Sequence, residues 1–260
     1  MAALLIISDS HGNLPALTAA LRWAAQQRWA ARRSEAAQRS EAARQDGPGP
    51  LTAAVFLGDG AEDLDKASAQ AGFTPPWYRV RGNGDLDFSI PESLVLEVPA
   101  GPENPGAQAG RGGRTKPDNP SAVRRLFLAH GNRYAVDGGS GAIAAAARAA
   151  GAEAALYGHT HVPLCGETEG IFTLNPGSIG RPRSRVGPTF AVLDCLPGRL
   201  EGQAGAPWNP PGGGQGPDAP ADRPPLFSAR FYGLVNRGQA GPRVRELDLF
   251  PTVQHTADLS

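Results

Sequence analysis

Seven residues of this chain have the chemistry and the spacing to hold divalent metal ions: Asp9, His11, Asp59, Asn83, His130, His159 and His161. They fall in five short polar motifs: Ser8-Asp9-Ser10-His11-Gly12-Asn13, Gly58-Asp59-Gly60, Gly82-Asn83-Gly84-Asp85, His130-Gly131-Asn132 and Gly158-His159-Thr160-His161. Asp9 and His11 are two residues apart, as are His159 and His161. In extended backbone, side chains at i and i+2 project to the same side, so each pair can reach one small region. Flanking glycines permit tight turns and close approach of backbone to a bound ion. Taken singly, each motif has a plainer reading. Asp-x-His can cap a helix, the glycine motifs can be ordinary turns, and a lone His-x-His is often accidental. The conjunction carries the inference, because four of the five histidines sit in these motifs, and only His255 lies apart, in a polar tail.

Four imidazoles, two carboxylates and one amide are too many ligands for one tetrahedral ion and suit two ions sharing a carboxylate. The all-nitrogen and oxygen set points to manganese, with iron, zinc or nickel as alternatives, over a thiolate-selecting site. Two divalent ions with Asp9 and Asp59 leave a formal charge of about +2, which suits a hydroxide and one phosphodiester anion.

Each motif follows an apolar run that reads as a strand. These runs are Ala3–Ile7, Ala53–Leu57, Trp77–Val80, Arg125–Ala129 and Ala154–Tyr157. Further strands are expected at Leu94–Val98, Gly170–Leu174, Thr189–Asp194, Phe227–Val235 and Val244–Phe250. Helices are expected from Leu14 to about Ala31, over Asp63–Ala71 and over Gly141–Ala150. The alternation predicts a layered α/β domain, in which ligands at the carboxyl ends of several strands converge on one rim. Residues 33–44 are a near-duplicate without an apolar face, and residues 99–120 and 197–225 are rich in proline and glycine. We read 1–260 as a single domain with low-complexity insertions near 31–50, 99–120 and 197–225.

Composition sets the remaining bounds. Twenty-five basic and twenty-five acidic residues balance, so a nucleic-acid partner is not expected. Lys66 and Lys116 are the two lysines, and the other basic residues are arginines. Cys165 and Cys195 have no metal-binding or redox spacing and read as small buried apolar residues. The N-terminus lacks the features of a signal peptide, and no apolar run approaches the ~20 residues of a membrane span. A cytoplasmic setting without membrane contact is expected, and a homo-oligomer is left open.

Asp9-x-His11, Gly58-Asp59, Gly82-Asn83, His130-Gly131 and Gly158-His159-x-His161 stand in the order found in the calcineurin-like metallophosphoesterases. The chain resembles, within them, the small bacterial and archaeal phosphodiesterases, and Asn175-Pro176-Gly177-Ser178 is similar to the same subgroup. The resemblance implies a four-layer α/β/β/α sandwich with two mixed sheets. It implies that Asp9, His11, Asp59 and His161 hold one ion, and that Asp59, Asn83, His130 and His159 hold the other, with Asp59 as the bridge. Many members carry a histidine after the motif asparagine as general acid, and here that position is Gly84. Asp85 is then the candidate catalytic residue, orienting a ligand or a proton donor. Arg181, Arg183 and Arg185 could contact a phosphate or a nucleotide, or form a solvated loop.

The expected activity is hydrolysis of a small phosphodiester by a metal-bridging hydroxide. A phosphomonoesterase or nuclease of the same fold is an alternative, and so is a non-catalytic interaction scaffold like the retromer subunit of this fold.

Overall fold

The computed structural model describes residues 2–27, 51–100, 123–196, 226–236 and 242–249. The chain runs β1 (Ala2–Ile7), α1 (Leu14–Gln26), β2 (Leu51–Phe56), α2 (Ala61–Ala71), β3 (Trp77–Arg79), β4 (Ser93–Pro99) and β5 (Val123–Ala129). Two short 3-10 turns (Asn132–Tyr134 and Val136–Gly138) lead to α3 (Gly141–Ala149), β6 (Ala154–Leu156) and β7 (Pro163–Thr168). Then follow β8 (Ile171–Pro176), β9 (Thr189–Cys195), β10 (Phe227–Asn236) and β11 (Pro242–Leu247).

Two mixed sheets form, ordered β11-β10-β9-β1-β2-β3 and β4-β5-β6-β8-β7. In the first, β1, β2 and β3 run parallel while β9 pairs antiparallel with β1. In the second, β5, β6 and β8 run parallel while β4 and β7 are antiparallel edges.

The period of two in β1 explains the layering. Leu4 and Ile6 join Val55, Leu126, Leu128, Leu156 and Leu174 in the core between the sheets. Ala3, Leu5 and Ile7 face the other way, against Leu17, Leu21 and Leu64 of α1 and α2. The outer face of the second sheet, with Phe127, Ala129 and Ala155, is covered by Ile143, Ala144 and Ala147 of α3. The order is helices, sheet, sheet, helix: the expected four-layer α/β/β/α sandwich.

Helix α1 begins where expected, with the Asn13 side chain accepting from Ala16 N–H at 3.2 Å and Pro15 in the first turn. It ends at Gln26, short of the expected Ala31, because Gln27 turns to extended backbone. Strand β7 was not expected. It opens on a proline, carries Gly166 and lies half-exposed at a sheet edge, where such residues are tolerated and periodicity is weak. The last strand falls earlier than read, at Pro242–Leu247.

The near-duplicate at 33–44, the bulk of the 99–120 insertion, the 197–225 insertion and His255 lie outside the described residues. Both cysteines are free thiols, and burial pushes each up to about 12. Among the described residues no helix is long and apolar enough to cross a membrane.

Candidate metal centre

Parallel strands bring the motifs together. Asp9 lies two residues beyond β1, Asp59 three beyond β2, Asn83 four beyond β3, His130 directly after β5, and His159 three after β6. Backbone bonds weld these strand ends: Asp9 N–H donates to Gly58 O at 3.0 Å, His11 N–H to Asp59 O at 3.1 Å, and Gly158 N–H to His130 O at 3.0 Å.

The backbone is unusual at the candidate ligands. Among the described non-glycine residues, positive φ occurs at Asp9 (57°), His11 (43°), Asp59 (59°), His159 (68°) and His161 (60°), and otherwise at Ala135 and Glu169. The left-handed region disfavours side chains. Such strain is held in place by its surroundings and gathers at functional sites. Here it turns five candidate ligands onto one rim. Close packing sets the glycines too. A Cβ on Gly82 would overlap Asp59 Oδ1, and one on Gly158 would overlap Ser8 Oγ.

Each carboxylate has one oxygen held by protein donors and one turned toward the imidazoles. Asp9 Oδ2 accepts from Ser8 Oγ at 2.5 Å and from His159 N–H at 3.1 Å. Asp9 Oδ1 lies 3.1 Å from His161 Nε2, 3.6 Å from His11 Nε2 and 3.9 Å from His130 Nε2. Asp59 Oδ1 accepts from Gly84 N–H at 2.6 Å. Its Oδ2 stands between two imidazoles, 3.8 Å from His11 Nε2 and 3.5 Å from His130 Nε2.

The imidazoles follow the same plan. His130 Nδ1 donates to Leu57 O at 2.7 Å, and His161 Nδ1 to Arg181 O at 2.6 Å. A carbonyl only accepts, so Nδ1 carries the proton and the neutral ring turns a lone pair on Nε2 into the cleft. His11 Nε2 and His161 Nε2 approach to 3.0 Å, so both cannot be protonated there.

Asp9 Oδ1 and His130 Nε2 are buried and take part in no hydrogen bond. Orphaned polar atoms at zero exposure are costly in a folded protein, and a cation among them would satisfy both. Two compact triads result, Asp9–His11–His161 and Asp9–Asp59–His130, each with donor atoms within 4.8 Å of one another. The donor set fits divalent ions.

Asn83 and His159 stand at the margin. Both line the same cleft of about 390 Å³ as His11, Asp59 and His161, and His159 belongs to neither triad. His159 Nε2 instead lies 3.2 Å from Asp137 Oδ2, on the second 3-10 turn.

Electrostatics agree with the geometry. Burial opposes ionisation of Asp9, yet the imidazoles of His11, His161 and His130 hold it well below the usual carboxylate range. Asp59 is lowered against its burial chiefly by His130. His130 is raised in spite of burial by Asp59 and Asp9, and His161 is raised mainly by Asp9.

Asp85, the candidate catalytic residue, turns its carboxylate into the protein at 3% exposure. Oδ2 accepts from Asp59 N–H at 2.9 Å and Gly82 N–H at 2.8 Å, and Oδ1 from Gly60 N–H at 2.7 Å and Ala61 N–H at 2.9 Å. Four donors occupy both oxygens at the start of α2, where a negative charge is favoured. Asp85 holds the turns that carry Asp59 and Asn83.

Three residues support the site, of which the sequence reading singles out only Asn175, within its motif. Asp63, in the first turn of α2, accepts from Ser10 Oγ and Gly12 N–H, each at 2.8 Å. Its place in the helix's acidic first turn was the available signal. Asn175 Nδ2 donates to Gly158 O at 2.7 Å, so the Asn175–Ser178 motif clamps the His159–His161 turn. Asp137 carried no sequence signal. Of the arginines, Arg181 and Arg183 line the cleft and Arg185 does not.

Comparison with known proteins identifies the family and the fold. Phosphodiesterase YfcE of Escherichia coli is 26% identical over 196 residues, covering 75% of this chain and 88% of that protein. Vps29 of Chaetomium thermophilum shares the fold at TM-score 0.50 and 16% identity, over 94% of this chain and 95% of its own. A Vps29 variant from Entamoeba histolytica gives the same TM-score and identity, over 94% and 98%. The family model for the calcineurin-like phosphoesterase superfamily domain matches residues 3–197, a span that takes in every motif described above, and the chain belongs to that superfamily.

Proposed function

We propose that the protein is a two-metal phosphoesterase that hydrolyses phosphodiester bonds. The observation that carries this reading is the pair of buried atoms Asp9 Oδ1 and His130 Nε2, which take part in no hydrogen bond and stand among the other candidate ligands. Asp9, His11 and His161 would hold one ion with Asp59, and Asp59, His130, Asn83 and His159 the other. The position of Asp59 Oδ2 between His11 and His130 supports its role as the bridge. Bound there, divalent ions would supply an activated water and neutralise the phosphoryl oxygens of an in-line displacement. Manganese is the metal we favour, on the nitrogen and oxygen donors.

The chain's own residues do the rest. Leu57 O and the Arg181 carbonyl fix the tautomers of His130 and His161, so no proton moves when the site fills from the neutral form. Asp85 and Gly84 N–H hold Asp59 in place. The described rim around Asn83 offers glycine where an acid is often found, so the leaving group takes its proton from water. This favours esters of acidic alcohols such as phenols.

The test is manganese-reconstituted protein assayed on bis(p-nitrophenyl) phosphate, beside Asp59→Asn and His130→Ala. We expect turnover by the wild type and its loss in both variants. Equal activity in all three, or purified protein without bound metal, would refute the reading. The second outcome would favour a scaffold role.

A further inference from the structure

We propose that Arg181 and Arg183 form a docking arm for a second anionic group on the substrate, beside the scissile phosphate. This rests on the phosphodiesterase reading of the same cleft.

Pairing sets these two arginines apart. Arg79, Arg81, Arg124, Arg125, Arg133, Arg148 and Arg230 each meet an aspartate or glutamate. Among the described residues, Arg181 and Arg183 meet none, and both line the metal cleft. Arg22, Arg185, Arg243 and Arg245 also lack an acidic partner among the described residues, but they do not line it.

The segment that carries them is built into the site. Ser178 Oγ donates to Asp9 O at 2.8 Å and accepts from Arg181 N–H at 2.7 Å. Gly180 N–H donates to Asp9 O at 3.0 Å, and Arg183 N–H to His161 O at 3.1 Å. Arg181 O accepts from His161 Nδ1–H at 2.6 Å. The backbone of both arginines is therefore locked to two candidate ligands, while their exposed side chains border the cleft on its His161 side.

Charge identifies the occupant. Two divalent ions, two carboxylates, a hydroxide and a diester already sum to about zero. Two guanidinium groups add about +2, and the cleft lining offers no carboxylate besides Asp59. A phosphate on the substrate's alcohol portion balances this charge and matches the guanidinium fork.

The experiment measures binding by calorimetry with manganese present. Thymidine 3′,5′-bisphosphate is compared with thymidine 5′-monophosphate, on wild type, on the Arg181→Gln/Arg183→Gln double variant and on Arg185→Gln. We expect the wild type and Arg185→Gln to prefer the bisphosphate roughly tenfold, and the double variant to lose that preference. Equal affinity of the wild type for both ligands overturns the proposal. So does an equal loss for both ligands in the double variant, because the arginines would then grip the scissile phosphate itself. Hydrolysis of bis(p-nitrophenyl) phosphate is read in parallel. A chain that prefers the bisphosphate but cleaves no ester keeps the docking arm and loses the phosphodiesterase reading.

Discussion

Asp85 Oδ2 accepts the backbone N–H of Asp59 at 2.9 Å, so the residue expected to orient a ligand or a proton donor holds the turn that carries Asp59. Its four N–H partners come from the turns after β2 and β3 and from the first residue of α2.

Asp85→Asn puts an amide donor against two of those N–H groups. Each buried donor left without an acceptor costs about 1–3 kcal/mol, so the variant should lose about 3 kcal/mol of stability. Urea unfolding in a chelator checks this without reference to activity. A variant as stable as the wild type would return Asp85 to the reaction.

Metal should stabilise the fold by mass action. At a free ion concentration a hundredfold above Kd, each occupied site adds about 2.7 kcal/mol, or roughly 5–10 °C in Tm for a chain of this size. Calorimetric melts with manganese and with a chelator measure it. Asp59→Asn should lose most of the gain, because Asp59 Oδ2 faces both imidazoles. An unchanged gain would place the ions elsewhere.

Much of this was legible in the sequence. The strand-end motifs supplied all five residues of the two triads, since the apolar runs Ala3–Ile7 and Ala53–Leu57 admit few other readings and each ends in a polar, glycine-flanked turn. Less legible was what holds the ligands. Asp85 and Asn83 share one short motif, yet Asn83 is exposed on the cleft and Asp85 buried behind it. Spacing cannot assign those directions, because the turn reverses them. The clamps Leu57 O and Arg181 O are backbone atoms, and every residue type offers a carbonyl. Strand β7 was missed because a half-exposed edge with a glycine lacks a clear period.

The metal-free protein should also respond to pH. Asp9 and Asp59 have lowered pKa values, so their stabilisation is present above the ordinary carboxylate value of 3.8 and is lost as pH falls through the folded values. His130 and His161 are raised, so theirs is complete below the ordinary 6.5 and is lost as pH rises through the folded values. In chelator, stability should peak between about pH 4 and 6.5 and decline toward pH 9. With manganese the trend should reverse, because ions bind neutral imidazoles. Melts from pH 5 to 9 with and without metal should therefore diverge as pH rises, and parallel curves would mean that these imidazoles hold no ion.

Gly84→His tests whether the leaving group goes unassisted. A Cβ at Gly84 would lie 3.1 Å from Asp59 Oδ1 and 3.3 Å from its Cγ, so the Asp59 carboxylate must yield by a few tenths of an ångström. Gly84→Ala carries that steric change alone and should weaken manganese binding slightly on every substrate. Gly84→His adds a proton donor next to Asn83, on the cleft rim. General acid catalysis contributes about 10²–10⁴-fold where the leaving group is poor, and little where it is an activated phenolate. Set against Gly84→Ala, the histidine variant should therefore speed hydrolysis of an alkyl p-nitrophenyl phosphate little. It should speed that of a dialkyl phosphate by at least about tenfold. Equal effects on both esters would mean that protonation of the leaving group does not limit this site, or that position 84 does not address it.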